Sequence, residues 1–234
     1  MTIWAIADIH ASPVDGFGRL SKPMEIFGDN WKDHVDRIEA AWNDRVADTD
    51  TVVVVGDIDW SLHLSDAVQT LGRIAGWRGI KILVRGNHDY WWSSDASSKV
   101  RKVLPPGMML LHNNSFEVEG WNLVGTKGST VPGTVEWTET DAKLLNRELG
   151  RLRLSLATRN PALPTIAAIH YPPYYPSLGS NPYVDVLRDH GVSVCVYGHL
   201  HGAAAESGPR GEHDGIRYVL AAADHVNFEP IPLV

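Results

Sequence analysis

The sequence offers almost no sulfur chemistry, since Cys195 is the one cysteine in 234 residues. A single thiol cannot close an intramolecular disulfide. Its place in the apolar run 192–197 makes it a small buried strand residue, compatible with a reducing compartment. Basic runs are missing too. Lys and Arg number 21 against 28 Asp and Glu, giving a formal net charge of −7. That sign gives no general attraction for a nucleic-acid backbone; it counts against a nucleic-acid partner without excluding a local basic groove. No apolar stretch reaches the length of a membrane span. The first residues carry neither the charged segment nor the long apolar run of a secretory signal. Repeats and linker-like stretches are also lacking. These absences leave a soluble, cytoplasmic protein as the expectation. With 44% hydrophobic and 21% charged residues the composition is globular, and we expect one domain over residues 1–234.

What is present is an alternation of strands and helices. Residues 3–7, 51–55 and 80–84 are short apolar runs, each stopped by polar sequence. Between them, Val35, Ile38, Trp42 and Val46, and then Leu64, Val68, Leu71 and Ile74, repeat with a helical period over 31–46 and 62–74. This β-α-β-α-β order predicts a parallel sheet with right-handed crossovers. Short strands follow at 108–111, 115–118 and 121–124, with turns at Asn113-Asn114 and Glu119-Gly120. A long helix is predicted over 139–158, with Thr138 as its N-cap. Strands at 165–169, 192–197 and 216–222 complete the pattern, with a helix at 183–190 before the second of them.

Polar residues follow these strands at once, and in open α/β sheets ligands bind beyond the carboxyl ends of strands. Asp8, Asp57 and Asn87 are therefore expected to converge. An Asp-x-His pair arises about once by chance in such a composition, so Asp8 and His10 mean little alone. Gly198-His199-Leu200-His201 is expected roughly 0.05 times and Gly86-Asn87-His88-Asp89 roughly 0.003 times. Both stand directly after predicted strands, as do Gly56-Asp57 and His170. In extended chain, residues i and i+2 face one side, so Asp8 with His10, and His199 with His201, can each offer two ligands to one pocket. Asp8, Asp57 and Asn87 with four imidazoles make a mixed O/N set, suited to Mn²⁺, Fe or Zn²⁺ rather than Ca²⁺. No cysteine lies near, which excludes a thiolate zinc site. Seven ligands are too many for one ion and fit two sharing a carboxylate, a clamp for phosphoryl hydrolysis in which a bridging hydroxide attacks phosphorus. Glycines 56, 86 and 198 let the backbone come close to such ions.

Asp8-Ile9-His10, Gly56-Asp57, Gly86-Asn87-His88-Asp89, His170 and Gly198-His199-Leu200-His201 resemble, in order, the five blocks of the calcineurin-like metallophosphoesterases. Ser21-Lys22-Pro23-Met24, Phe27-Gly28, the run from Gly56 to Trp60, Tyr90-Trp91-Trp92 and His170-Tyr171-Pro172-Pro173 look like a bacterial branch of phosphohydrolases within it. The resemblance implies a four-layer α/β/β/α sandwich of two mixed sheets flanked by helices. It implies two divalent transition ions, Mn²⁺ before Fe or Zn²⁺. The first would take Asp8, His10, Asp57 and His201; the second, Asp57, Asn87, His170 and His199. His88 would be the non-ligand catalytic residue, acting as general acid or transition-state stabiliser, with Asp89 orienting it. Trp60 would shape the pocket without touching a metal bond.

Around this centre, Asn87, His88, Trp91 and Tyr171 are candidates for contact with a small phosphate-ester substrate. Arg19 and Lys22, in the long 12–30 loop, and Tyr174 and Tyr175 are weaker ones. Trp4, Trp42, Trp77 and Trp121 read as core. His34, His63, His112, His190, His213 and His225 read as surface or hydrogen-bonded side chains, with Asp224 a neighbour able to orient His225. A non-catalytic binding scaffold and a nuclease are the competing readings. Retention of every family ligand and of His88 counts against the first, and the acidic balance against the second. Substrate, mono- or diester preference and oligomeric state are not specified by the sequence.

Overall fold

The computed structural model describes residues 1–15, 20–93, 96–179 and 181–234. Two β-sheets form its centre. In the first, the order is β11 (Ile231–Pro232), β1 (Ile3–Ile6), β2 (Thr51–Val55), β3 (Ile80–Val84) and β4 (Met108–Leu110). Strands β1 to β4 run parallel and β11 runs against β1. The second has the order β5 (Phe116–Val118), β6 (Trp121–Thr126), β7 (Thr165–Ile169), β8 (Val192–Tyr197), β10 (Ile216–Leu220) and β9 (Gly211–His213). Its inner strands β6, β7, β8 and β10 are parallel, and β5 and β9 are antiparallel edges.

Strand periodicity explains the layers. Along β2, Val53 and Val55 join Ile3, Ala5, Ile82 and Val84 in a core shared with Ile166, Ala168, Val194 and Val196 of the second sheet. The alternate residues Val52 and Val54 face outward against Ile38 and Trp42 of α1 (His34–Arg45) and Leu71 and Ile74 of α2 (Leu64–Ala75). In the second sheet, Ala167, Ile169 and Cys195 face Leu149, Leu152 and Leu156 of α4 (Asp141–Ala157) and Tyr183 and Leu187 of α5 (Pro182–Asp189). The result is helix, sheet, sheet, helix, the four-layer sandwich expected. Each fully buried valine contributes roughly 1.5–3 kcal/mol, so runs buried on both faces hold the register firmly.

The sequence misses α3 (Ser97–Val103) and the edge strands β9 and β11. Thr138 does not cap α4 as expected: its N–H and hydroxyl both donate to Asp141, the first residue of the helix, and Thr140 stands at the N-cap position. The predicted turn at Glu119-Gly120 is present, with both residues at positive φ. At one edge the two sheets meet, because Ala7 N–H donates to Ala221 O and Ala223 N–H to Ala7 O. Strands β1, β2, β3, β7 and β8 all point their carboxyl ends to that edge.

Candidate metal centre

Four of the seven candidate ligands sit in left-handed backbone: Asp8 at φ 60°, His10 at 47°, Asp57 at 52° and His199 at 72°. That conformation costs about 1–2 kcal/mol per non-glycine residue, and such strain gathers at functional sites. Asp8 and His10 converge as expected, but through this left-handed backbone rather than as alternate residues of extended chain. Both leave strand geometry, held by Asp8 N–H to Gly56 O and His10 N–H to Asp57 O, each 2.9 Å. His199 and His201 line one cleft, as expected, while their ring nitrogens join different groups of atoms.

In the first group, His10 Nε2 lies 3.2 Å from His201 Nε2. Asp8 Oδ1 is 3.5 Å from the His201 nitrogen and 3.8 Å from that of His10. Asp57 Oδ2 is 3.9 Å from His10 Nε2. The Nδ1 of His201 pairs at 2.8 Å with Asp224 Oδ1, whose other oxygen accepts from Gly202 N–H. That pairing keeps a proton on Nδ1 and leaves Nε2 as the nitrogen that would take a metal.

In the second group, His170 Nδ1 donates to Val55 O at 2.9 Å. Its Nε2 therefore faces Asn87 Oδ1 at 2.8 Å and Asp57 Oδ1 at 3.4 Å. Asn87 Oδ1 is also 2.9 Å from His199 Nδ1. Asp57 thus turns one oxygen to each group. Asp8 is close to both as well, since one set of mutually near ligand atoms joins Asp8, His10 and His201 and another joins Asp8, Asp57 and His170.

These atoms are arranged for cations. Ring nitrogens and side-chain oxygens crowd together in both groups, and among the described residues the fully buried Asp8 Oδ1 has no hydrogen-bond partner, which is costly unless a positive charge meets it. The titration behaviour agrees. Burial pushes His10 down to about 4 and His199 to about 3. His170 rises to about 9: burial opposes the change, and the Asp57 charge overcomes it. His201 rises to about 10 against burial, through Asp8 and Asp224. Without a metal, one proton per group takes the place of a cation.

Close packing of the loops requires glycine. A Cβ on Gly86 would lie 2.0 Å from Asp57 Oδ1, and one on Gly198 would lie 2.4 Å from Asp8 Oδ2.

A cleft of about 560 Å³ opens over the first group, lined by His10, Met24, Phe27, Asn30, Trp31, Asp57, Trp60, His88, His199, His201, Gly202 and Asp224. His88 points Nε2 toward Asp57 Oδ2 at 4.0 Å and stacks on Trp60 at 4.0 Å, so Trp60 shapes the pocket as expected. Burial lowers the His88 pKa, against the pull of the Asp57 charge. The expected role of Asp89 is corrected. Its carboxylate accepts the N–H groups of Ile58, Asp59 and Gly86, whereas His88 Nδ1 pairs with the Tyr90 hydroxyl at 2.9 Å. Asp89 ties two ligand loops together. Trp91 is also corrected: it is buried in the core, donates from Nε1 to Asp59 O, and does not line the cleft. Tyr171 stacks obliquely on His199, ring centres 4.1 Å apart. Lys22 borders a separate surface hollow beyond Trp60, Tyr174 packs on His213 and Tyr218, and Arg19 lies outside the described residues.

Sequence reading missed Trp31, Tyr90 and Asp224. Trp31 meets His10 and His201 edge-on. Asp224 serves His201 rather than His225, and its one signal was a position just after the last long strand.

The family model for calcineurin-like phosphoesterases matches residues 1–203. Among solved structures, phosphopantetheinyl hydrolase from Mycobacterium tuberculosis is 17% identical, with 94% of this chain and 88% of that chain covered and a TM-score of 0.58. A protein of unknown function from Aquifex aeolicus is 16% identical, with 99% and 95% covered and a TM-score of 0.51. A Thermus thermophilus protein is 14% identical, with 85% and 81% covered and a TM-score of 0.51. At these identities the likeness is one of fold. No curated protein matches the sequence.

Proposed function

The chain belongs to the calcineurin-like phosphoesterases, a family of metallophosphoesterases, and from that premise we propose that it hydrolyses small phosphomonoesters or phosphodiesters with two divalent transition ions, Mn²⁺ foremost. The observation that carries this reading is Asp57, with one oxygen toward His10 and the other toward His170. Asp8, His10, Asp57 and His201 would hold one ion; Asp57, Asn87, His170 and His199 would hold the other. Bound there, the ions supply an acidified water and neutralise charge on the attacked phosphate.

The chain's own residues do the rest. Asp224 and Val55 O fix the His201 and His170 tautomers so that Nε2 faces the centre. His88, entering the step as imidazolium, gives its Nε2 proton to the leaving oxygen and ends as the neutral ring. The Tyr90 hydroxyl suits that work, because a hydroxyl accepts from Nδ1–H or donates to bare Nδ1 as the ring changes state. Trp60 and Trp31 wall the cleft and limit water. The core shared by both sheets supports reading residues 1–234 as one domain.

Purified protein should hold about two transition ions per chain and turn over an aryl phosphate or bis-aryl phosphate with Mn²⁺. His88→Ala should lower kcat about 10²–10⁴-fold with metal content unchanged. Full activity in that variant would remove His88 from the mechanism, and metal-free, inactive parent protein would return the chain to a binding scaffold.

A further inference from the structure

Beyond the second group of ligands stand two cations that hold no carboxylate at salt-bridge distance among the described residues. Arg85 follows β3 and Lys127 follows β6, both half-buried. Among the described residues neither side chain makes a salt bridge or a hydrogen bond, and Arg85 Nε is fully buried without a partner. The nearby buried carboxylate does not need them: Glu148 accepts from Thr126 Oγ1 at 2.7 Å and pairs with Arg151 at 2.5 Å and Arg147 at 3.5 Å. Lys127 Nζ instead lies 4.8 Å above the ring of Tyr171, and that ring lies against His199. An unbroken contact path therefore leads from the candidate ligand His199 to an unpaired ammonium.

Asp89 and Glu148 attract Arg85, and Glu148 and Asp57 attract Lys127, only from a distance, and half-buried cations without a direct ion pair or hydrogen bond are expensive. Burial, against the pull of Glu148, lowers the Lys127 ammonium to about 8, and Arg85 and Arg147 push the same way. The opposite end of the centre differs. The cleft over the first group has Met24, Phe27, Trp31 and Trp60 and no lysine or arginine among its described lining residues. In a chain with a net charge of −7, two surplus cations at one end of a phosphoryl site are a recognition feature.

We propose that Arg85 and Lys127 form a subsite for a second anionic group of the substrate, a further phosphate next to the scissile one, while the aromatic end takes an uncharged group. This rests on the phosphoesterase reading and specifies its substrate class: phosphoanhydrides and multiply phosphorylated esters over simple neutral-tailed esters. A charge-assisted contact to phosphate is the strong kind, and a binding site with both cations in place should show it as a preference for two phosphoryl groups over one.

Calorimetric binding of methylphosphonate and methylenediphosphonate tests it, with the same protein in Mn²⁺-loaded and metal-free forms. The parent should bind the diphosphonate at least about tenfold more tightly than the monophosphonate in the loaded form, the scale of one charged contact. Lys127→Met and Arg85→Met should each shrink that ratio severalfold and leave methylphosphonate binding intact, which also shows the fold survives. Lys127→Arg should keep it. A parent ratio near one, or a ratio unmoved in both Met variants, overturns the subsite. If Mn²⁺ fails to bind but the metal-free protein still discriminates through these two residues, the subsite stands and the metal reading falls.

Discussion

Around Asp8, His10 and His201, the imidazole of His201 is held from behind by a carboxylate, Asp224, at 2.8 Å. Around Asn87, His170 and His199, the imidazole of His170 is held by a backbone carbonyl, Val55 O, at 2.9 Å. The first support adds a full negative charge and is a removable side chain; the second adds only a dipole and is part of β2. The surroundings diverge in the same sense. His201 keeps about a third of its side chain exposed at the cleft, whereas His170 is wholly buried between the sheets. Two halves with similar ligand types should therefore differ in affinity, accessibility and response to mutation, and Asp57 is the residue both depend on.

The largest break in that comparison is expected at Asp57 itself. Asp57→Asn removes the charge presented to both halves, so metal content should fall from two per chain to one or none. Turnover should fall on the order of 10³-fold or more, the scale of losing a preorganised charge in an active site. Elemental analysis beside a rate measurement checks it. Two retained ions would show that Asp8, which is near both groups, does the bridging.

Asp224→Asn should damage one half only. Partners behind a ligating histidine are worth about 10–100-fold in metal affinity, so a stepwise metal titration should show one site weakened by that amount and the other unchanged. Equal weakening of both would mean that the halves are not separable. This residue also marks the limit of what the sequence discloses. Strands β2, β3, β7 and β8 were legible to the residue because their apolar runs end abruptly in polar sequence, and that pattern also pointed to the seven candidate ligands. Asp224 acts on a histidine 23 positions away across a sheet edge, and nothing local distinguishes that from service to adjacent His225. Asp89 misled for the opposite reason. It adjoins His88 in sequence, yet its carboxylate turns inward to three backbone amides. The short edges β9 and β11 were invisible because their pairing depends on partners far along the chain rather than on their own residues.

The halves should also separate in pH. In metal-free protein His170 lies near 9 and His201 near 10, so both carry protons at pH 7 and must release them to bind metal. Apparent affinity should rise about tenfold per pH unit for each displaced proton, and the His170 half should level off first as pH climbs. Raised folded-state values also mean that protonation stabilises the metal-free fold below the unfolded histidine value of about 6.5, with that contribution lost as pH rises toward 9–10. Metal-free Tm should therefore fall over this range, while metal-loaded protein should not follow it. Buffers of different ionisation enthalpy would count the protons in calorimetry, and no release at pH 7 would contradict the assignment.

Tyr90→Phe should produce the smallest effect and leave both halves intact, since it removes just the hydroxyl that pairs with His88 Nδ1 at 2.9 Å. Loss of one neutral hydrogen bond is worth about 0.5–1.5 kcal/mol, so kcat should fall roughly 2- to 10-fold at constant metal content. The hydroxyl accommodates both protonation states of the ring, so its loss should move the pH dependence of kcat as well as its height. A merely structural contact would lower activity without moving that profile. A loss beyond about 10²-fold would exceed what one such bond supplies and would make Tyr90 a proton donor in its own right, with His88 reduced to positioning it.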